Sequence, residues 1–137
     1  MPSMTSQEFA EFLRRPLIAS LTTLRADGTP QVTPVWYESD GEAFFCIFDR
    51  DSVKARNLRR DTRVSLCIAT HDDPYQYVIV DGTGEISAEG VAERCHSIST
   101  RYWGEERGGR FARELVTKGD TVVLSVRPNR VLTESTA

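Results

Sequence analysis

Histidine, cysteine and long apolar runs are scarce in this chain, and each shortage closes off a class of function. The three cysteines, Cys46, Cys67 and Cys95, are widely separated, which suits neither a disulfide framework nor paired metal ligation. Cys46 and Cys67 lie inside apolar runs and read as small buried hydrophobes. The two histidines, His71 and His96, stand beside no nucleophile and no metal set, so both read as structural or surface residues. A GxSxG elbow is absent, which removes the usual signal of a serine hydrolase. No apolar stretch approaches the roughly 20 residues of a membrane helix, and the first residues do not form a charged and apolar leader. The expectation is a cytoplasmic protein without a membrane partner. Positive charge is not in excess either: the formal net charge is −3, which argues against a general nucleic-acid binder while leaving room for a local basic pocket.

What is present is a succession of short apolar segments separated by turn residues. The 137 residues suit a single domain, 1–137, whose small core would gain from dimerisation. Thr5-Ser6-Gln7-Glu8 before Phe9, Phe12 and Leu13 forms a capping box for a short helix that ends at Arg14-Arg15-Pro16. Leu17 to Thr23 predicts a strand, Arg25-Ala26-Asp27-Gly28 a hairpin turn, and Gln31 to Tyr37 a second strand. Pro34 removes a backbone donor, so this strand belongs at an edge or rim and Thr33-Pro34-Val35-Trp36 becomes a plausible ligand wall. After a turn at Glu38-Ser39-Asp40-Gly41, Ala43 to Phe48 predicts a third strand in a meander with the first two.

Arg63 to Ala69 predicts the fourth strand and Tyr75 to Ile86 the fifth, with Gly82 and Gly84 marking a bulge. Helical spacing covers Ala88 to Tyr102, a polar loop Gly104 to Gly109, a short helix Phe111 to Thr117, and a closing strand Thr121 to Arg127. Six strands with two to four short helices and no regular alternation exclude a doubly wound parallel sheet. A mainly β, antiparallel barrel remains, since closure removes the edges of so many short strands.

The densest chemical signal lies between the third and fourth strands, at Phe48-Asp49-Arg50-Asp51-Ser52-Val53-Lys54-Ala55-Arg56-Asn57-Leu58-Arg59-Arg60. Asp51 or Ser52 can cap a helix whose first N–H groups, with Lys54 and Arg50 or Arg56, form an anion site. A solvated basic helix face fits the same charge pattern. Trp36, Tyr75 and Tyr77 suit either stacking on a flat conjugated ring or ordinary core and interface packing.

The segments LTTLRADGTPQVTPVWY, KARNLRRDTRVSL and YVIVDGTGEIS together resemble the pyridoxamine 5′-phosphate oxidase-like split β-barrel family, and within it the branch that uses the deazaflavin coenzyme F420. The resemblance runs from about Pro16 to Ser87 and more loosely to VVLSVRPNRV. It implies a six-stranded FMN-binding-type split barrel and a homodimer with two cofactor sites at the subunit interface, each built from both chains. Ser52, Lys54 and Asn57, with the backbone of Val53 and Ala55, would hold the cofactor phosphate. Thr33, Pro34, Val35 and Trp36 would lie beside the ring, and Tyr75, Gln76 and Tyr77 of the other chain would cover it. Ser52 stands where many relatives carry arginine, which removes one charge, and Arg50 and Arg56 are the candidates to replace it.

Three functions follow from this resemblance. The first is F420-dependent hydride transfer to an electron-poor small molecule such as a quinone, an unsaturated lactone or a tetrapyrrole. The second is an FMN-dependent oxidase or reductase, and the third a non-catalytic flavin or F420 binder. No side chain is singled out as catalytic and no metal is expected, because hydride passes from cofactor to acceptor while the protein binds and orients both.

Overall fold

The computed structural model describes residues 1–137. In chain order its elements are α1 (Ser6–Leu13), β1 (Ala19–Leu24), β2 (Pro30–Val35), β3 (Glu38–Ser39), β4 (Phe44–Asp49), α2 (Val53–Arg60), β5 (Arg63–Ala69), β6 (Gln76–Ser87), α3 (Val91–Trp103), α4 (Glu105–Lys118) and β7 (Thr121–Ser135). The strands form one antiparallel sheet of seven in the order β2-β1-β5-β6-β7-β4-β3. Strands β2 and β3 are the two ends of that sheet, yet only Trp36 and Tyr37 separate them in sequence. Such a connection reaches at most about 11 Å. The sheet therefore has to curl until its ends meet, which makes the antiparallel split half-barrel, with four helices, that the sequence leads one to expect.

Alternation along each strand sets the inside. Leu66 and Ile68 of β5, Val78 and Val80 of β6, Leu124 and Val126 of β7, and Phe44 and Cys46 of β4 point inward and are almost fully buried. Phe12 and Leu13 of α1 join the same cluster and close one end of it. The predicted capping box is present: the Thr5 hydroxyl accepts from the Glu8 N–H, and the Glu8 carboxylate accepts from the Thr5 N–H. No helix is long and apolar enough to cross a membrane.

Several boundaries differ from the sequence expectation, each for a local reason. The third apolar segment does not extend a meander. It forms β4 at the far side of the sheet, pairing with β7 from Phe44↔Val126 to Asp49↔Thr121. Pro30 and Pro34 lack the N–H groups that a further neighbour of β2 would need, so β2 stays an edge. Glu38 and Ser39, expected in a turn, pair with Phe45 and Phe44 as the seventh strand. Strand β7 continues past Pro128 to Ser135, with its register shifted by the extra residue Asn129 opposite Asp81 and Gly82. There a Cβ on residue 82 would stand 2.4 Å from the Arg127 carbonyl oxygen, so glycine is required.

The predicted polar loop Gly104 to Gly109 is mostly helix, because its glycines serve packing rather than flexibility. Gly108 and Gly109 are buried on α4, and a Cβ on Gly108 would lie 2.4 Å from the Ser99 carbonyl oxygen of α3. Cys67 is exposed while Cys46 is buried. Cys67 occupies an outward position of β5, between Leu66 and Ile68, which are fully buried.

Candidate functional site

The site lies at the seam where the curled sheet meets itself. Strand β3 pairs only with Phe44 and Phe45, so β4 beyond them presents a free edge. Strand β2 presents the other. Between them is a cavity of about 360 Å³ lined by Ile18, Pro34, Val35, Trp36, Ile47, Phe48 and Lys54. Free strand edges carry backbone N–H and C=O groups without ladder partners, and here they border an apolar space with one cation.

Helix α2 supplies that cation, and its neighbours fix the helix in place. Ser52 is the N-cap: its hydroxyl accepts from the Ala55 N–H at 3.3 Å and donates to the Asp49 carbonyl at 2.7 Å. Ala55, Asn57 and Leu58 face the barrel. The Asn57 amide donates to the Thr23 hydroxyl at 3.1 Å and to Gln31 at 3.4 Å, while its carbonyl accepts from Arg60. Asn57 is 4% exposed, so its polar atoms are spent on holding α2 against β1 and β2.

The arginines around α2 are committed elsewhere. Arg50 pairs with Asp120 at 3.3 Å and donates to the Gly119 carbonyl. Arg56 donates to the Asp51 carbonyl, Arg59 to the Arg50 carbonyl and Arg60 to the Leu24 carbonyl. Lys54 is different. It has no carboxylate beside it, its ammonium lies 5.3 Å from the centre of the Phe48 ring, and burial holds its pKa below the ordinary lysine value. A partly buried cation without a counter-charge is the chemistry of a candidate anion site.

Of the residues read from the sequence, Pro34, Val35, Trp36 and Lys54 are brought together around the cavity. The hydroxyl of Thr33, one position earlier on β2, is buried without a hydrogen-bond partner. Ser52, Val53, Ala55 and Arg56 frame the start of α2, with Val53 exposed and Ala55 fully buried. Arg50 and Asn57 are turned to other contacts. Tyr75, Gln76 and Tyr77 do not line the cavity within one chain. Tyr75 and Tyr77 lie 5.8 Å apart, with the Tyr77 hydroxyl donating to Glu134 and the Gln76 amide to Ser135.

The structure adds residues that sequence reasoning did not single out. Ile18, Ile47 and Phe48 complete the cavity wall. Trp36 stacks on Tyr102 at 4.8 Å and 5°, and meets Trp103 and Phe111 edge-on. The signal for Ile47 and Phe48 was their place at the end of the strand feeding the basic helix. Tyr102, Trp103 and Phe111 gave none, because the chain between them read as a loop.

Comparison with known proteins agrees with this picture. The family model described as "Pyridoxamine 5'-phosphate oxidase" matches residues 5–134. The conserved hypothetical protein Rv2991 from Mycobacterium tuberculosis is similar at 28% identity, with a TM-score of 0.84, covering 96% of this chain and 85% of that one. A protein named F420 reductase is 30% identical, with a TM-score of 0.74, covering 88% of this chain and 93% of its own. The heme storage protein HutZ from Vibrio cholerae, at 17% identity, shares the fold with a TM-score of 0.73 over 93% of this chain and 94% of that one.

Proposed function

We propose that this chain, which belongs to the pyridoxamine 5′-phosphate oxidase family, is an F420-dependent oxidoreductase that reduces an electron-poor conjugated acceptor such as a quinone. The observation that carries the reading is Lys54, a partly buried cation with no carboxylate beside it on the wall of an otherwise apolar seam. Similarity to a protein named F420 reductase at 30% identity favours the deazaflavin over FMN.

The residues present fit such a cofactor. Lys54 and the first turn of α2 would hold its phosphate, the ammonium supplying a charge-assisted hydrogen bond. Pro34, Val35 and Trp36 would border the ring, with the free edges of β2 and β4 offering backbone groups to its polar rim. Bound and reduced, F420 supplies a hydride, so the acceptor gains two electrons and the cofactor is left oxidised. Ile47, Phe48 and Trp36 would give the ring and the acceptor an apolar wall to align against. Lys54 is the sole titratable side chain on the wall, and the proton that completes reduction enters from water at the open mouth.

A homodimer is part of this reading. Pro34, Ser20, Cys67, Ile79 and Leu132 stand opposite one another in a single row across β2, β1, β5, β6 and β7. That row is uncharged, and Leu132 at its end is 45% exposed. Covering it with the same face of a second copy would bring Tyr75, Gln76 and Tyr77 of one protomer towards the seam of its partner.

The test is titration of the purified protein with F420 and with FMN, read by cofactor absorbance. F420 should bind, and Lys54→Ala should weaken it by about tenfold to a hundredfold, the worth of a hydrogen bond to a charged group. Yellow protein that retains FMN and ignores F420 would replace this reading with an FMN-dependent one. Cofactor binding without reduction of any quinone, unsaturated lactone or tetrapyrrole would make it a binding protein.

A further inference from the structure

We infer that a second cleft, between α4 and the C-terminal end of β4, is a subsite for an uncharged apolar arm on the acceptor, with Phe111 and Leu115 as its specificity-determining residues. This inference rests on the proposed reduction of a conjugated acceptor and names which acceptors are preferred. The cleft has a volume of about 220 Å³ and is lined by Ile47, Phe48, Phe111 and Leu115, with Asp49, Lys118, Asp120 and Thr121 around its rim. Ile47 and Phe48 also line the seam cavity, so the two spaces adjoin across the end of β4. Trp36 of the seam and Phe111 of the cleft meet edge-on at 6.0 Å, which keeps the junction apolar on the side opposite Ile47 and Phe48 as well.

The floor decides the character of the occupant. Asp120 is neutralised by Arg50 at 3.3 Å, and the remaining Asp49 and Lys118 are of opposite sign. The rim charges balance and favour neither sign, so discrimination falls to the four apolar side chains of the floor, where an uncharged arm is desolvated without cost. The geometry therefore suits a flat head in the seam and a short hydrocarbon arm under α4. Each methylene taken from water is worth about a threefold to fourfold gain in affinity when fully buried.

The chain carries its own probe, because its two tryptophans, Trp36 and Trp103, lie 4.8 Å apart at this junction. Quenching of their fluorescence reads acceptor binding directly, with the full chain alone and again with oxidised F420 present. The probes are 1,4-naphthoquinones carrying a methyl, butyl or hexyl group at the 2-position. Butyl should bind at least about tenfold more tightly than methyl. Leu115→Phe should erase most of that difference while leaving the methyl compound within about twofold, and Leu115→Ala should shift the preference from butyl to hexyl. Opposite shifts from filling and enlarging one position cannot come from a general loss of structure. Equal affinities across the three quinones, or parallel losses for all of them in both variants, would overturn the inference. F420 absorbance in the same samples reads the parent proposal separately, so a protein that binds F420 without arm preference fails only the inference, and one with arm preference but no F420 fails only the proposal.

Discussion

Lys54 shows how much a single side chain can decide, and its titration gives a prediction at that scale. Burial pulls its pKa below the ordinary 10.5, so in the free protein stability rises with pH as the folded-state group loses its proton before the unfolded one. Anion binding needs the charged form, and the sign there is opposite. Affinity for F420 should be level near neutrality and fall as pH rises through the lowered pKa, earlier than for an exposed lysine; Lys54→Arg should keep its affinity to higher pH, both read by absorbance titration. Asn57 is the companion case, chosen from sequence as a phosphate ligand and placed by the structure inside a hydrogen-bond set with Thr23, Gln31 and Arg60. Asn57→Leu should therefore lower stability by about 1–3 kcal/mol, the cost of leaving buried polar groups unmatched, as measured by denaturant unfolding. At this scale the sequence displayed residue types but not their company. The cations from Arg50 to Arg60 look alike in sequence, and only the fold reveals that each arginine among them is bonded to main chain while Lys54 is not.

At the scale of elements, what was legible follows from period and punctuation. Strand β5 approximates an alternation of apolar and polar residues, β1 and β6 are short apolar-rich runs between clear turn signals, and Thr5 with Glu8, like Ser52, marks a helix start by its own chemistry. The α3–α4 pair was half legible, because glycine punctuates loops and also permits close helix packing. Gly108 does the second here, against the Ser99 carbonyl. Gly108→Ala should force the two helices apart at a cost of about 1–3 kcal/mol, as overpacking does, visible as a lower melting temperature. Because α4 also carries Phe111 and Leu115, the same change should weaken quinone binding more than F420 binding. Arg101 ties this pair to the rest of the fold: its guanidinium donates to the carbonyls of Leu13, Arg14 and Arg15 at the end of α1. Nothing in the local sequence distinguishes Arg101 from the solvated arginines near it, since its partners lie more than 80 positions away.

At the scale of the whole molecule, strand order is the feature that no local pattern contains. Three consecutive apolar segments suggest a meander, yet prolines in β2 and the two-residue link to β3 send β4 to the opposite end of the sheet. That arrangement creates the seam, and with it an outer face crossed by the row Pro34, Ser20, Cys67, Ile79 and Leu132. If this face is the dimer contact, a charge within it should act twice. A carboxylate facing its symmetry mate cannot be desolvated without a partner, so Leu132→Asp should shift the protein from dimer to monomer in sedimentation velocity. Lys54 lies at the seam rather than in the row, and the variant leaves it untouched. F420 affinity should nevertheless fall by at least about tenfold, because the tyrosines that would cover the ring belong to the departed subunit, whereas wild type diluted below its dimerisation constant should show the same loss. A Leu132→Asp monomer that binds F420 as tightly as the wild-type dimer would mean that each seam is complete within one chain.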